Sequence, residues 1–152
     1  MPKIVSPQRS HINTFAYTDC PWSASADVYF ITTKDKSTPI KYVLGLLNSK
    51  LIYFWLYHRG KRKGEMLELY LTPLSEIPLY KYSPFLGEKI IHLVETIMIS
   101  KKQTPLANTK HLENKIDIIV YKLYNLTYEE VQIIDPEIEK IISEKEYEKM
   151  EI

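Results

Sequence analysis

Between Tyr42 and Tyr57 the chain reads Y-V-L-G-L-L-N-S-K-L-I-Y-F-W-L-Y, an apolar run of helical length. It is interrupted at Asn48, Ser49 and Lys50, so it is too short and too polar at its centre to span a bilayer. Thr38-Pro39 precedes it with an N-cap residue followed by a proline suited to the first helical position. The pattern predicts one helix over 39–57. Val43, Leu44, Leu46, Leu47, Leu51, Phe54 and Trp55 leave that helix little polar face, which is the mark of a buried element. Gly45 costs about 1 kcal/mol against alanine inside a helix, which points to a close backbone approach.

The run ends in H-R-G-K-R-K-G, with His58, Arg59, Lys61, Arg62 and Lys63 inside six positions and Gly60 and Gly64 among them. Two readings compete. One is a solvated turn whose charges keep the surface wet. The other is a dense positive tip, based on a rigid helix, with glycines that let the backbone come close to an anion such as a phosphate backbone. Net charge is +1 overall but uneven. Residues 1–80 hold ten Lys/Arg against six Asp/Glu, a balance of +4, and residues 81–152 hold ten against thirteen, a balance of −3. The first half is therefore the side suited to an anionic partner.

Upstream, residues 3–33 read as short strands and loops. Val28 to Thr33 is the strongest strand signal, apolar enough to suggest burial on both faces. Glu65 to Leu71 reads as a short strand or extended connection, and Pro73, Pro78 and Pro84 then prevent long regular structure. The remainder reads as helices: one from Ser83-Pro84 to about residue 100, one over 110–124, and a turn opened by the capping-box spacing of Thr127 and Glu130. A last helix is expected from Asp135-Pro136, with a charged, fraying tail over 144–152. The expected fold class is α+β, a small, mostly antiparallel sheet packed on the buried helix and followed by a helical C-terminal tail. The expected division is 1–82 as one domain and 83–152 as a tail that packs on it or on a partner.

Catalytic chemistry finds little support. Cys20 is the only cysteine, so there is neither an internal disulfide nor a thiolate cluster, which fits a reducing, cytoplasmic setting. The N-terminus lacks the apolar core of a signal peptide. His11, His58, His92 and His111 match no metal-ligand spacing. Four glycines are too few for a nucleotide-binding loop, and no carboxylate pair or triad stands out. Asp19-Cys20-Pro21-Trp22 has a distant likeness to the Asp-Pro-Pro-aromatic signature of amino-methyltransferases. Without a cofactor loop before it, it reads as a turn anchored by Trp22.

Several segments in order resemble one family. They are Asn13-Thr14-Phe15-Ala16, Ser25 to Ile31, Gly45 to Leu51 with Tyr53-Phe54-Trp55, His58 to Gly64, and Pro73 to Pro78. Together they resemble the TaqI-like C-terminal specificity domain of adenine-specific DNA methyltransferases and fused type IIG restriction-modification enzymes. Ile116-Asp117 and Tyr124 to Thr127 resemble the helical tail that follows such domains. The resemblance implies sequence-specific recognition of double-stranded DNA. It also implies that catalysis and the cofactor S-adenosylmethionine belong to a separate methyltransferase domain or subunit, since the family's Asn-Pro-Pro-aromatic signature is missing here. This chain would then be no enzyme by itself and would hold no cofactor. His58, Arg59, Lys61, Arg62 and Lys63 become the expected DNA contacts, with Arg9 and Lys50 behind them. Tyr17, Trp22 and Tyr57 are candidate stacking residues, with core packing as the competing role. Asp27, Asn48 and Ser49 are expected to satisfy backbone groups at helix ends. The alternative function is a protein-interaction module whose helices 84–100 and 110–124 dock on a catalytic subunit.

Overall fold

The computed structural model describes residues 1–21 and 28–151. Trp22 and Asp27, and residues 25–27 of the 25–31 segment that contributed to the family resemblance, lie outside the described residues. The chain is α+β, with short strands first and a helical second half.

Two three-stranded antiparallel sheets share the N-terminal segment. Strand β1 (Lys3–Pro7) is the centre of the first, between β3 (Ala16–Thr18) and β4 (Val28–Ile31). One residue later the chain enters the second sheet as β2 (Arg9–Ser10), beside β6 (Met66–Glu68), which pairs on its other side with β5 (Lys61–Lys63). The alternation of side chains along β1 buries Ile4 and Ser6. β4 is an edge strand rather than a strand buried on both faces, and Phe30 is 40% exposed. Among the described strands β4 pairs with β1 alone.

The apolar run forms two helices, not one. Helix α1 (Ile40–Leu47) is buried at every position from Tyr42 to Leu47. Helix α2 (Lys50–Arg59) buries only Ile52 and Leu56. Pro39 is the N-cap of α1 instead of its first residue, and Thr38 makes no capping bond there. The break at Asn48-Ser49 has identifiable causes. Ser49 is extended and caps α2, accepting from the Ile52 N–H at 3.3 Å while its hydroxyl donates to the Leu46 carbonyl at 2.7 Å. Asn48 pairs with both backbone groups of Phe15, at 3.0 and 2.9 Å. Asn13 answers from the other side, donating to the carbonyls of Leu47 and Ser49 at 2.6 and 2.9 Å. These side chains satisfy the groups that a helix end leaves open.

Short helix α3 (Leu71–Ser75) and an irregular proline-containing stretch lead to α4 (Pro84–Gln103), which runs three residues past the expected end at residue 100. The irregular stretch is pinned by tyrosines. Tyr124 donates to the Pro78 carbonyl and accepts from the Tyr80 N–H, and Tyr42 donates to the Tyr80 carbonyl. Helix α4 lies against α1 where Gly45 leaves room, and a Cβ there would stand 2.5 Å from Ile90 Cγ2 and 3.2 Å from Val94 Cγ2. Helix α5 (Lys110–Leu123) completes a core that runs without interruption from Ile4 and Phe15 to Ile90, Ile116 and Val120. The helical tail therefore packs on the segment before it.

The C-terminus differs from expectation. Helix α6 (Tyr128–Ile134) opens with the Thr127–Glu130 capping box. Asp135-Pro136 leads only to a single 3-10 turn (Ile138–Lys140). The charged tail is ordered as α7 (Glu144–Lys149), because Ser143 and Glu146 form a second capping box and Tyr147 is buried. Tyr147 joins Ile118, Tyr121, Tyr128, Val131 and Ile138 in a smaller core. Among the described residues, no helix is long and apolar enough to cross a membrane.

Helix α2 is tied to this tail through its first residue. The Lys50 N–H donates to Asp117 Oδ1 at 2.9 Å, and Lys50 Nζ donates to Asp135 Oδ2 at 2.9 Å. Burial, opposed by the Lys50 amide and the charges of Lys50 and Lys110, pushes the Asp117 carboxyl up from 3.8 to about 6.

Two outcomes follow from this packing. Gly45→Val should destabilise the protein by about 2 kcal/mol, read from the urea midpoint, because its methyls must enter space held by Ile90 and Val94. The Asp117 carboxyl binds its proton more tightly in the folded state. Its contribution is therefore fully present below about pH 4 and lost as pH rises through about 6. Relative to Asp117→Asn, the wild type should lose roughly 2–3 kcal/mol between pH 4 and pH 7 in parallel urea titrations.

Candidate nucleic-acid interface

The basic segment is a helix end followed by a hairpin rather than a loop. His58 and Arg59 form the last turn of α2, and the Gly60 N–H closes it on the Leu56 carbonyl at 3.1 Å. Lys61, Arg62 and Lys63 are the strand β5, all exposed. Gly64 turns the chain with φ 62°, the left-handed region a two-residue hairpin favours for glycine. The hairpin then returns along β6.

Strand alternation divides the cations between two faces. Arg62 stands opposite Leu67, whose side chain is fully buried, and so faces the core side of the sheet. There its guanidinium lies 3.9 Å from the centre of the Tyr57 ring, and Nη1 donates to the Gly64 carbonyl at 3.2 Å. The Tyr57 hydroxyl donates to Glu65 at 2.8 Å, and that bond shifts its pKa upward. Tyr57 thus braces the hairpin by its ring face, while Phe54 packs against His58 with ring centres 4.3 Å apart. Lys61 and Lys63 point to the opposite face.

On that opposite face Arg9 joins them. It pairs with Glu68 in strand register, and Glu68 pairs in turn with Lys61. The row is therefore Arg9, Glu68, Lys61 across three strands. Arg9 Nη2 lies 3.8 Å from Glu68 Oε1, and Lys61 Nζ lies 3.5 Å from Oε2. Both cations also approach the Tyr70 ring, at 5.9 and 5.7 Å from its centre. Among the described residues, Arg59 and Lys63 make no ion pair. The patch thus presents Arg9, Arg59, Lys61, Arg62 and Lys63 against two carboxylates, Glu65 and Glu68.

Lys50 is placed elsewhere. It opens α2, nine residues and about 13.5 Å from Arg59 at the other end of the helix, and its ammonium is paired with Asp135. Tyr17 packs against the core beneath the Lys41 ammonium, 5.4 Å from its ring centre. Asp19 and Cys20 are exposed. No group of three His, Cys, Asp or Glu among the described residues could hold a metal ion. Glu65 and Glu68 stand in sequence beside the basic run they could neutralise, but the pairing of Glu68 with two cations and the place of Tyr70 beside them emerge only in three dimensions. The signal for Glu68 was an acidic residue within a basic surrounding, but its second cation comes from 59 positions earlier in the chain.

Comparison with known proteins agrees with this geometry in one respect: the described patch falls within the matched region. Residues 1–79 match the TaqI-like C-terminal specificity domain. Over 95 residues the chain is 32% identical to the Type II methyltransferase M.HincII of Haemophilus influenzae and to the Type II methyltransferase M.HindII of a strain of the same species. The match covers 62% of this chain but only 17% and 16% of those two proteins. With the family match extending over more than half of its length, the chain belongs to the TaqI-like C-terminal specificity domain family.

Proposed function

We propose that this chain is the target-recognition part of a restriction-modification adenine methyltransferase and binds double-stranded DNA through the cationic sheet edge. The observation that carries the proposal is the gathering of Arg9 and the 59–63 run around one braced sheet edge, with Arg62 on one face and Arg9, Lys61 and Lys63 on the other. Five cations against two carboxylates give a local excess where phosphates spaced along a duplex can be met by side chains held on strands. Arg59, Lys61 and Lys63 are the phosphate contacts in this reading, with His58 at its margin. Arg62, lying on Tyr57, keeps its fork in a fixed plane, which suits bidentate contact to a base edge or phosphate. Lys50 is left out because its ammonium is engaged with Asp135.

Catalysis belongs to a separate methyltransferase domain or subunit, and S-adenosylmethionine to that domain. The large uncovered part of the related methyltransferases is consistent with this division. The division at residue 82 is better regarded as a functional boundary than a physical one, because one core crosses it. Docking of the chain on a catalytic subunit is compatible with this reading. It would use outer surfaces of α4 and α5, since Ile90, Val94, Ile116 and Val120 on their inner faces are already packed inside the chain.

Fluorescence anisotropy with a random duplex over a salt series tests the proposal. The wild type should show a linear fall of log affinity with log salt, with a slope of about three to four phosphates. Lys61→Ala/Arg62→Ala/Lys63→Ala should flatten the slope by about two to three phosphates. An unchanged slope would remove the patch from the interface.

A further inference from the structure

The cation pair on the outer sheet face has a partner inside the protein that the DNA reading leaves unused. Glu68 sits on the central strand of β2-β6-β5, hydrogen-bonded along both edges. Its side chain is only 8% exposed, whereas those of Arg9 and Lys61 are 47% and 65% exposed. Among the described residues, Oε2 has no hydrogen-bond partner, and the Lys61 ammonium at 3.5 Å is an ion pair outside hydrogen-bond geometry. The carboxylate is therefore the fixed member of the row, and the two long cationic side chains are the adjustable ones.

Resting on the DNA-binding reading, we infer that Glu68 is a positioning residue, an internal counter-ion that holds Arg9 and Lys61 side by side and keeps their grip on duplex of arbitrary sequence weak. One buried negative charge shared by two cations leaves the row with a single excess positive charge. A phosphate that approaches the row competes with a carboxylate that cannot move away. The pair is thereby kept spaced across one strand interval, and contact with both cations is favoured where a duplex matches that spacing.

The test compares wild type with Glu68→Gln by anisotropy on random duplex across a salt series, then repeats the substitution in an Arg9→Gln/Lys61→Gln background. The fold of each variant is verified by circular dichroism before its salt slope is read. Glu68→Gln should steepen the salt slope by about 0.9, one further phosphate, and raise affinity several-fold at low salt. In the double-glutamine background it should change neither. Glu68→Met, which fills a similar volume without a charge, gives the same reading should the amide variant not fold. An equal steepening in both backgrounds would mark Glu68 as a distant charge and overturn the inference, as would no change in either. Wild-type binding in those cases leaves the DNA reading standing. Absence of binding by wild type and Glu68→Gln alike, even at low salt, overturns both.

Discussion

The placement of the basic hairpin depends on two asparagines. Asn13 and Asn48 exchange hydrogen bonds with the backbone of each other's segment across the gap between α1 and α2. Without those bonds, the Leu47 carbonyl that closes α1 and the backbone at Phe15 would lose their side-chain partners near a core. Leaving such groups unsatisfied costs about 1–3 kcal/mol each. With the clamp in place, an apolar run that could have continued as one helix turns sharply. Helix α1 then stays buried, and α2 is directed outward to deliver Arg59 and the hairpin to the surface. Lys50, Asp117 and Asp135 secure the same turn from the tail side, which ties the direction of α2 to the helical half of the chain.

Charge on the surface is organised by that frame. The cations are not a trailing loop. Four of the five have a neighbour that restricts them: Tyr57 for Arg62, Glu68 and Tyr70 for Arg9 and Lys61, and the end of α2 for Arg59. Ordering a lysine or arginine side chain costs up to about 2 kcal/mol of rotamer entropy. Restriction before binding means that part of this cost is already met in the free protein. The tyrosines, abundant in the sequence, are used largely as ring surfaces and hydroxyl pins of this sort.

What could be read along the chain was what neighbouring residues decide. The apolar periodicity of α4 and α5, the proline at the start of α4 and the capping box at Thr127 are all local signals, and they correspond to observed elements. Gly45 was legible too, since its cost in a helix asks for a reason and Ile90 supplies one. The misreadings came from long-range pairing. Asn48 meets partners 33 residues away, Lys50 meets Asp117 and Asp135 at 67 and 85, and β4 is an edge because of strand order. Arg9 reached the patch through strand register, which no charge count along the sequence displays. The tail helix α7 was hidden by its charged composition, which masks the single residue that anchors it, Tyr147.

The passage of one continuous N-terminal segment through both sheets has a consequence for engineering. Residues 3–10 supply the central strand of the first sheet and an outer strand of the second, with Arg9 at the end. A transplant of the hairpin 58–70 into another scaffold would therefore carry an incomplete surface. The smallest portable unit must begin before Lys3 and extend past Tyr70. An exchange between relatives that preserves this surface would take the assembly whole, with the helices that fasten it, rather than graft a basic loop.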